Sequence, residues 1–198
     1  MSGDGHCSQT LMACGRYRFL MNTMDKKKSY RWILVLLLGS FMLSSCGVFR
    51  DAPRRHRMSA EETRVYSQRL GMPLTGRENA TLVREVSSWM GVPFRLGGST
   101  RSGADCSGFI WAVYREVYNE SLPRTTEEMA DETRRIRRRN LREGDLVFFR
   151  MQRRKLSHAG IYLGNGYFAH ATTSRGVMVN SLDEPYYRRR FARGGRVR

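Results

Sequence analysis

Helix-like periodicity fills the chain up to about Arg135 and short strand-like runs take over beyond Glu143, and this one-way order constrains the fold most. Across 78–90, Leu82, Val83, Val86, Trp89 and Met90 form a helical stripe, closed by Gly91 and then Pro93. After Cys106, the apolar residues Ile110, Val113, Tyr114 and Val117 fall at i, i+3, i+4 and i+7. Thr125 with Glu128 makes a capping box for a further helix running toward Arg135, whose basic end complements the helix dipole. The strand-like runs are 145–151, 159–163, 167–172 and 177–180, with Gly164, Asn165, Gly166 and Gly176 between them. Helices followed by strands predict an α+β fold: N-terminal helices packed on an antiparallel β-sheet.

The chemistry-bearing residues fall where these two halves meet. Cys106, in Asp105-Cys106-Ser107-Gly108, sits at a helix start, where free backbone N–H groups and the positive dipole end favour a thiolate. An imidazolium neighbour would do the same. Asp105 or Ser107 can cap this turn. Downstream come His158 and His170. A two-residue loop, Asn165-Gly166, would pair position 158 with 173 and put the histidines on opposite faces of the sheet. A three-residue loop, Gly164 to Gly166, pairs Leu163 with Tyr167 and His158 with Thr172, which brings both histidines to one face. The three-residue form is predicted, with Gly166 left-handed. Cys106 is then the nucleophile, His158 the base and His170 the group that holds the His158 tautomer, the constellation of a cysteine peptidase. A zinc site on the same three residues lacks a close ligand pair, so no metal or cofactor is expected.

The compartment sharpens the case for Cys106. Lys26, Lys27, Lys28 and Arg31 precede an apolar run over 32–43, which ends in Leu43-Ser44-Ser45-Cys46. This is the order of a secretory signal, and its end resembles a bacterial lipobox with Cys46 as the lipidated N-terminus. Met24 is the natural start, so 1–23, with Cys7 and Cys14, are expected to be an upstream extension absent from the mature protein. The signal is 24–45, the lipid-anchored tether 46–76, with a short helix over 60–70, and the folded domain 77–198. Cys106 is then the one thiol left free in an exported chain, which marks it for chemistry.

The chain carries 35 Lys and Arg against 18 Asp and Glu, a net charge of +17. An anionic partner is implied. For an exported lipoprotein this is cell wall or membrane lipid rather than nucleic acid, and the arginine runs at 134–139 and 188–190 read as solvated faces.

Several separate stretches resemble the NlpC-type family of bacterial cell-wall cysteine peptidases. They are Gly91-Val92-Pro93-Phe94-Arg95-Leu96-Gly97-Gly98, Asp105-Cys106-Ser107-Gly108-Phe109, Leu122-Pro123-Arg124-Thr125, Gly144-Asp145-Leu146-Val147-Phe148-Phe149 and His158-Ala159-Gly160-Ile161-Tyr162-Leu163-Gly164. The resemblance covers about 77–198. It implies a compact papain-like domain, catalysis by Cys106, His158 and His170 without a cofactor, and substrate contacts at Phe94, Asp105, Ser107 and Arg124. The implied activity is murein (peptidoglycan) endopeptidase, cutting either a D,D cross-link to meso-diaminopimelate or a γ-D-glutamyl bond within a stem. A noncatalytic wall-binding scaffold on the same fold is the alternative. Gly47 after Cys46 implies an outer-membrane lipoprotein facing the periplasm. No adaptor or regulatory protease is identified by the sequence. The family usually has tyrosine, whose hydroxyl helps bind the oxyanion, where this chain has Phe94, and glutamine where it has Met129.

Overall fold

The computed structural model describes residues 57–151 and 155–197; the upstream extension, the signal-like segment and Cys46 lie outside them. The chain enters through α1 (Ala60–Leu70). Ser59 Oγ accepts the Glu62 N–H at 3.1 Å and the Glu62 carboxylate accepts the Ser59 N–H at 2.9 Å, a reciprocal capping box. Gly71, at φ 65°, ends the helix. Met58, Leu70 and Met72 are buried in the main core, so the packed body begins ahead of Arg77. The tether expected over 46–76 is too long by this stretch. Its polar, basic composition hid three anchoring apolar side chains.

Asn79 caps α2 (Ala80–Trp89), and Leu82, Val83, Val86 and Trp89 point into the core. A two-stranded ribbon, β1 (Ser99–Thr100) and β2 (Gly103–Ala104), leads into α3 (Cys106–Tyr118). Phe109, Ile110 and Val113 of α3 are fully buried, each contributing about 1.5–3 kcal/mol. Helix α3 packs against α2, β5 (His158–Gly164) and β6 (Tyr167–Thr172), which makes it the central helix of the domain.

Between them, α4 is short, Thr126–Glu132, and stops ahead of the expected end at Arg135. Thr133 turns extended, and its hydroxyl donates back to the Met129 and Ala130 carbonyls at 2.9 and 3.1 Å. Arg134–Ile136 is therefore a strand, β3, paired with β8 (Phe191–Arg196). Gly194 and Gly195 make this possible. A Cβ on Gly194 would lie 2.5 Å from Leu141, and one on Gly195 2.3 Å from Thr133 Oγ1.

The six-stranded antiparallel sheet runs β3-β8-β4-β5-β6-β7, where β4 is Leu146–Phe149 and β7 Gly176–Ser181. Ile161, Ala169, Leu146 and Phe148 join the core that contains the helices. Val147, Phe149 and Phe168 join a second cluster, with Leu182 and Tyr187, the latter on α5 (Pro185–Arg190). The sheet is thus covered on both faces, as the unbroken apolar run in β4 requires.

The β5–β6 hairpin combines the two loop forms weighed from the sequence. Ile161 pairs with Ala169 and Tyr162 with Phe168, which is the register predicted for a three-residue loop. At the tip, however, Gly164 rather than Leu163 pairs with Tyr167, so the turn is Asn165-Gly166 and the register shifts by a bulge between Tyr162 and Gly164. Asn165 at φ 50° and Gly166 at φ 84° are both left-handed, as a primed two-residue turn demands. The bulge absorbs the extra residue and leaves His158 and His170 on the same face.

Candidate active site

Asp105 is the N-cap of α3, and its carboxylate gathers the surrounding chain. Oδ1 accepts the Gly108 N–H at 2.7 Å and Oδ2 the Gly97 N–H at 2.7 Å. Arg124 meets both oxygens, Nη1 at 2.9 Å and Nη2 at 3.1 Å, while also donating to Ser107 Oγ and the Gly98 carbonyl at 2.8 Å each. Burial pushes the Asp105 carboxyl up, but Arg124 and the Gly108 and Gly97 N–H groups outweigh it and hold the pKa below the ordinary value. Gly108 has no space for a side chain: a Cβ would lie 2.0 Å from the Gly98 carbonyl oxygen and 2.6 Å from Arg124 Nη2.

This cap places Cys106 as the first residue of α3, half-buried, with Sγ 3.7 Å from Thr126 Oγ1. The Gly108 N–H is used by the Asp105 side chain and the Phe109 N–H by the Asp105 carbonyl. The Cys106 and Ser107 N–H groups are the first-turn donors without an intrahelical acceptor.

His158 opens β5 and His170 lies mid-strand in β6, fully buried. His158 Nε2 lies 2.7 Å from His170 Nδ1. A Cβ on Gly160 would come 2.8 Å from the Phe168 ring and 3.2 Å from His170 Cβ, so glycine there leaves room for the pair. Beyond it, His170 Nε2 is 2.9 Å from Asn180 Oδ1, and Asn180 Nδ2 is 2.9 Å from both oxygens of Glu184. The Tyr187 hydroxyl is 3.4 Å from His170 Nε2. The two histidine nitrogens that face each other are a hydrogen-bonding pair, not two ligands converging on one ion.

Cys106 and His158 line one cleft of about 520 Å³, together with Phe94, Met151, Arg175 and the exposed Leu96 and Tyr186. A bridge from Phe94 to Ala104 fixes the position of Phe94. Asp105 and Ser107 also line the cleft, with their polar atoms turned to each other and to Arg124. Arg124 does not line it. In place of the substrate contact expected at Arg124, its guanidinium braces Asp105, Ser107 and the Gly98 carbonyl at the first turn of α3. Arg175, Asn180, Glu184 and Tyr187 escaped sequence reasoning. The one available signal was Ser181-x-x-Glu184, a capping-box spacing in which the Ser181 N–H donates to Glu184 at 2.8 Å.

Burial, then the neighbouring His170, pushes His158 down to about 3, and burial pushes His170 down to about 4. At neutral pH both are uncharged, so neither imidazole brings a positive charge to the cleft, and the N-terminus of α3 is what favours a thiolate at Cys106. The same shifts make the fold acid-sensitive. Unfolded imidazoles take up protons near pH 6.5 and the folded ones only well below it, so stability falls as pH drops through that window. The thermal midpoint should fall from about pH 7 to about pH 5, before carboxylates titrate. His158→Gln/His170→Gln should flatten that slope, and equal slopes in both proteins would refute this origin.

A family model for the NlpC/P60 family matches residues 91–196. The murein DD-endopeptidase MepS/murein LD-carboxypeptidase of Escherichia coli K12 is 40% identical over 167 residues, covering 79% of this chain and 86% of that protein. The probable endopeptidase NlpC of the same organism is 35% identical over 164 residues, 82% of this chain and 97% of that one. Among solved structures, an NlpC/P60 family protein from Bacillus cereus superposes with a TM-score of 0.54 at 27% identity, over 60% of this chain and 40% of that chain. A matched domain spanning both the capped cysteine and the histidine pair, on an antiparallel sheet shared with solved members, leaves one assignment: the chain belongs to the NlpC/P60 family.

Proposed function

We propose that this protein is a cysteine peptidase of the cell envelope that hydrolyses amide bonds in peptidoglycan peptides, with Cys106 as nucleophile, His158 as base and His170 as the group that orients His158. The observation that carries this reading is the pairing of His158 Nε2 with His170 Nδ1 in the cleft that Cys106 opens onto. His158 takes the thiol proton and the Cys106 sulfur attacks the carbonyl carbon. The tetrahedral oxyanion is held by the Cys106 N–H and the adjoining first-turn N–H of Ser107. His158 then protonates the departing amine, and a water molecule, deprotonated by His158, hydrolyses the thioester to release the acid.

The cleft suits a peptide that carries carboxylates. Among the described residues Arg175 is the one arginine lining it, and Leu96 and Tyr186 offer exposed apolar surface at its rim. Phe94 contributes a wall but no hydroxyl, so the oxyanion relies on backbone donors. Similarity to an enzyme described as a murein DD-endopeptidase supports the D,D cross-link as the bond cut. A second basic cleft of about 560 Å³, with Arg134, Arg139, Arg142 and Arg196, lies at the opposite edge of the sheet and fits contact with an anionic wall or membrane. Lipidation of Cys46 and anchoring in the outer membrane complete this reading. Its support is the signal-like order ahead of Cys46.

The full-length protein and its Cys106→Ala variant, incubated with purified cross-linked peptidoglycan, test it through the masses of the released muropeptides. Conversion of cross-linked dimers to monomers only with the intact cysteine is the expected outcome. Shortened stems would move the cut to a bond within the stem. Binding by both proteins with no new product would establish the wall-binding scaffold instead.

A further inference from the structure

The hydrogen-bond chain behind His158 has a direction, and a carboxylate sets it. A carboxylate only accepts, so Asn180 must turn its Nδ2 hydrogens toward Glu184, whose two oxygens both lie 2.9 Å away. Glu184 is itself pinned by the Ser181 N–H at 2.8 Å. Asn180 therefore presents Oδ1 to His170, and His170 Nε2, at 2.9 Å, must carry the hydrogen. The Tyr187 hydroxyl donates to the same Oδ1 at 3.4 Å. His170 Nδ1 then holds a lone pair, and at 2.7 Å His158 Nε2 must donate to it. His158 Nδ1 is the nitrogen left bare. A flipped Asn180 would set its carbonyl against the Glu184 carboxylate, two acceptors face to face, so the reverse direction is disfavoured at its far end.

We propose that Asn180 and Glu184 are positioning residues that hold both histidines as Nε2–H tautomers, making Nδ1 of His158 the base for Cys106. The proposal rests on the assignment of Cys106 and His158 above and extends it by two links. Neither residue lines the cleft. No proton need travel to Glu184: His158 takes the thiol proton at Nδ1, and the resulting positive charge is felt by Glu184 through the intervening bonds. The titratable and charged groups facing His170 are His158 on β5, Tyr187 on α5, Glu184 ahead of α5 and Arg175 after β6. Glu184 favours a charged imidazole and Arg175 opposes it.

Glu184→Gln keeps size and contact but can accept or donate, so it permits both directions of the chain. Asn180→Asp/Glu184→Gln moves the carboxylate one link inward, where it again accepts from His170, while the glutamine amide donates to it. Two measurements on the full-length protein decide the matter without any peptidoglycan. Long-range proton–nitrogen NMR correlations report the tautomer of each histidine. The rate of alkylation by iodoacetamide, read by mass at the Cys106 peptide, reports thiol activation; there the sulfur bonds to carbon, iodide leaves and His158 holds the thiol proton.

The wild-type protein is expected to show Nε2–H on both histidines. Glu184→Gln should show mixed tautomers and alkylation about tenfold slower at neutral pH, as a competent fraction near one tenth implies. Its acid limb should also move to lower pH. The double variant should regain the single tautomer and near wild-type alkylation, with the acid limb moved back up. Nδ1–H on His170 of the wild-type protein, or an unchanged Glu184→Gln, overturns the proposal whether or not the variants fold equally well. Because neither readout uses substrate, failure here is distinct from failure to cleave peptidoglycan.

Discussion

Cys106→Ala should lower the rate of muropeptide cross-link hydrolysis by at least about 10⁴-fold, because it removes the atom that forms the acyl-enzyme. His158→Gln should cost about 10²–10⁴-fold, the contribution of a positioned acid–base group. The two act in one step, so the double variant should be no slower than Cys106→Ala alone. Residues that merely shape the cleft would instead give multiplying losses. Single-turnover hydrolysis of a defined cross-linked muropeptide, compared across the four proteins, reads this directly. Cys106→Ala retaining more than about a hundredth of the activity would put the nucleophile elsewhere. The geometry argues against that among the described residues: no other cysteine lies there, and the thiol shares its cleft with a histidine held neutral by burial.

The parts of this site that could be read from the sequence are those fixed by local periodicity. Ile110, Val113 and Tyr114 define the α3 face, so Cys106 had to sit at its N-terminus, and Asp105 caps it as its side chain allows. The shared face of His158 and His170 followed from counting residues in one hairpin, although a bulge next to Leu163, which the count did not contain, carries the register. Long-range partners were not legible. Arg124 has an acceptor in Asp105, nineteen positions away, and nothing in its local sequence distinguishes a brace from a substrate contact. Asn180 and Glu184 acquire their role only because β7 pairs with β6 and the chain then turns back over the sheet at Leu182. Arg134–Ile136 had a helix cap upstream and two arginines in its three positions, yet Gly194 and Gly195, some sixty residues on, decide that it is a strand.

Phe94 shows how such distant structure shapes chemistry. Its bridge to Ala104 holds the ring in the cleft, and in the mechanism proposed above, with no hydroxyl at that position, the oxyanion depends on how well the first turn of α3 is held. That turn is held by the Asp105 carboxylate, which caps it at the Gly108 N–H, and by Arg124, which ties Asp105, Ser107 Oγ and the Gly98 carbonyl together.

Asp105→Ala should destabilise the fold by about 2–4 kcal/mol. The lost cap strands the buried Gly108 N–H, now bonded at 2.7 Å, which costs about 1–3 kcal/mol. The Gly97 N–H, also bonded at 2.7 Å but on an exposed residue that water can reach, adds about 1 kcal/mol. The charge pair adds little, because the Arg124 side chain is 37% exposed and can turn to water. Arg124→Ala should consequently cost less than Asp105→Ala. Urea unfolding followed by tryptophan fluorescence measures both, and the midpoint should move without a change in slope. The pH dependence has a definite sign. The folded pKa of Asp105 lies below the unfolded value, so its contribution is complete above that value and disappears as pH falls through the folded one. If Arg124 contacted substrate instead, Arg124→Ala would raise KM and leave the urea midpoint in place. A midpoint that falls for Asp105→Ala, falls less for Arg124→Ala, and brings a loss of kcat in both would place the pair behind the nucleophile, holding the first turn of α3 in the position the thiol requires.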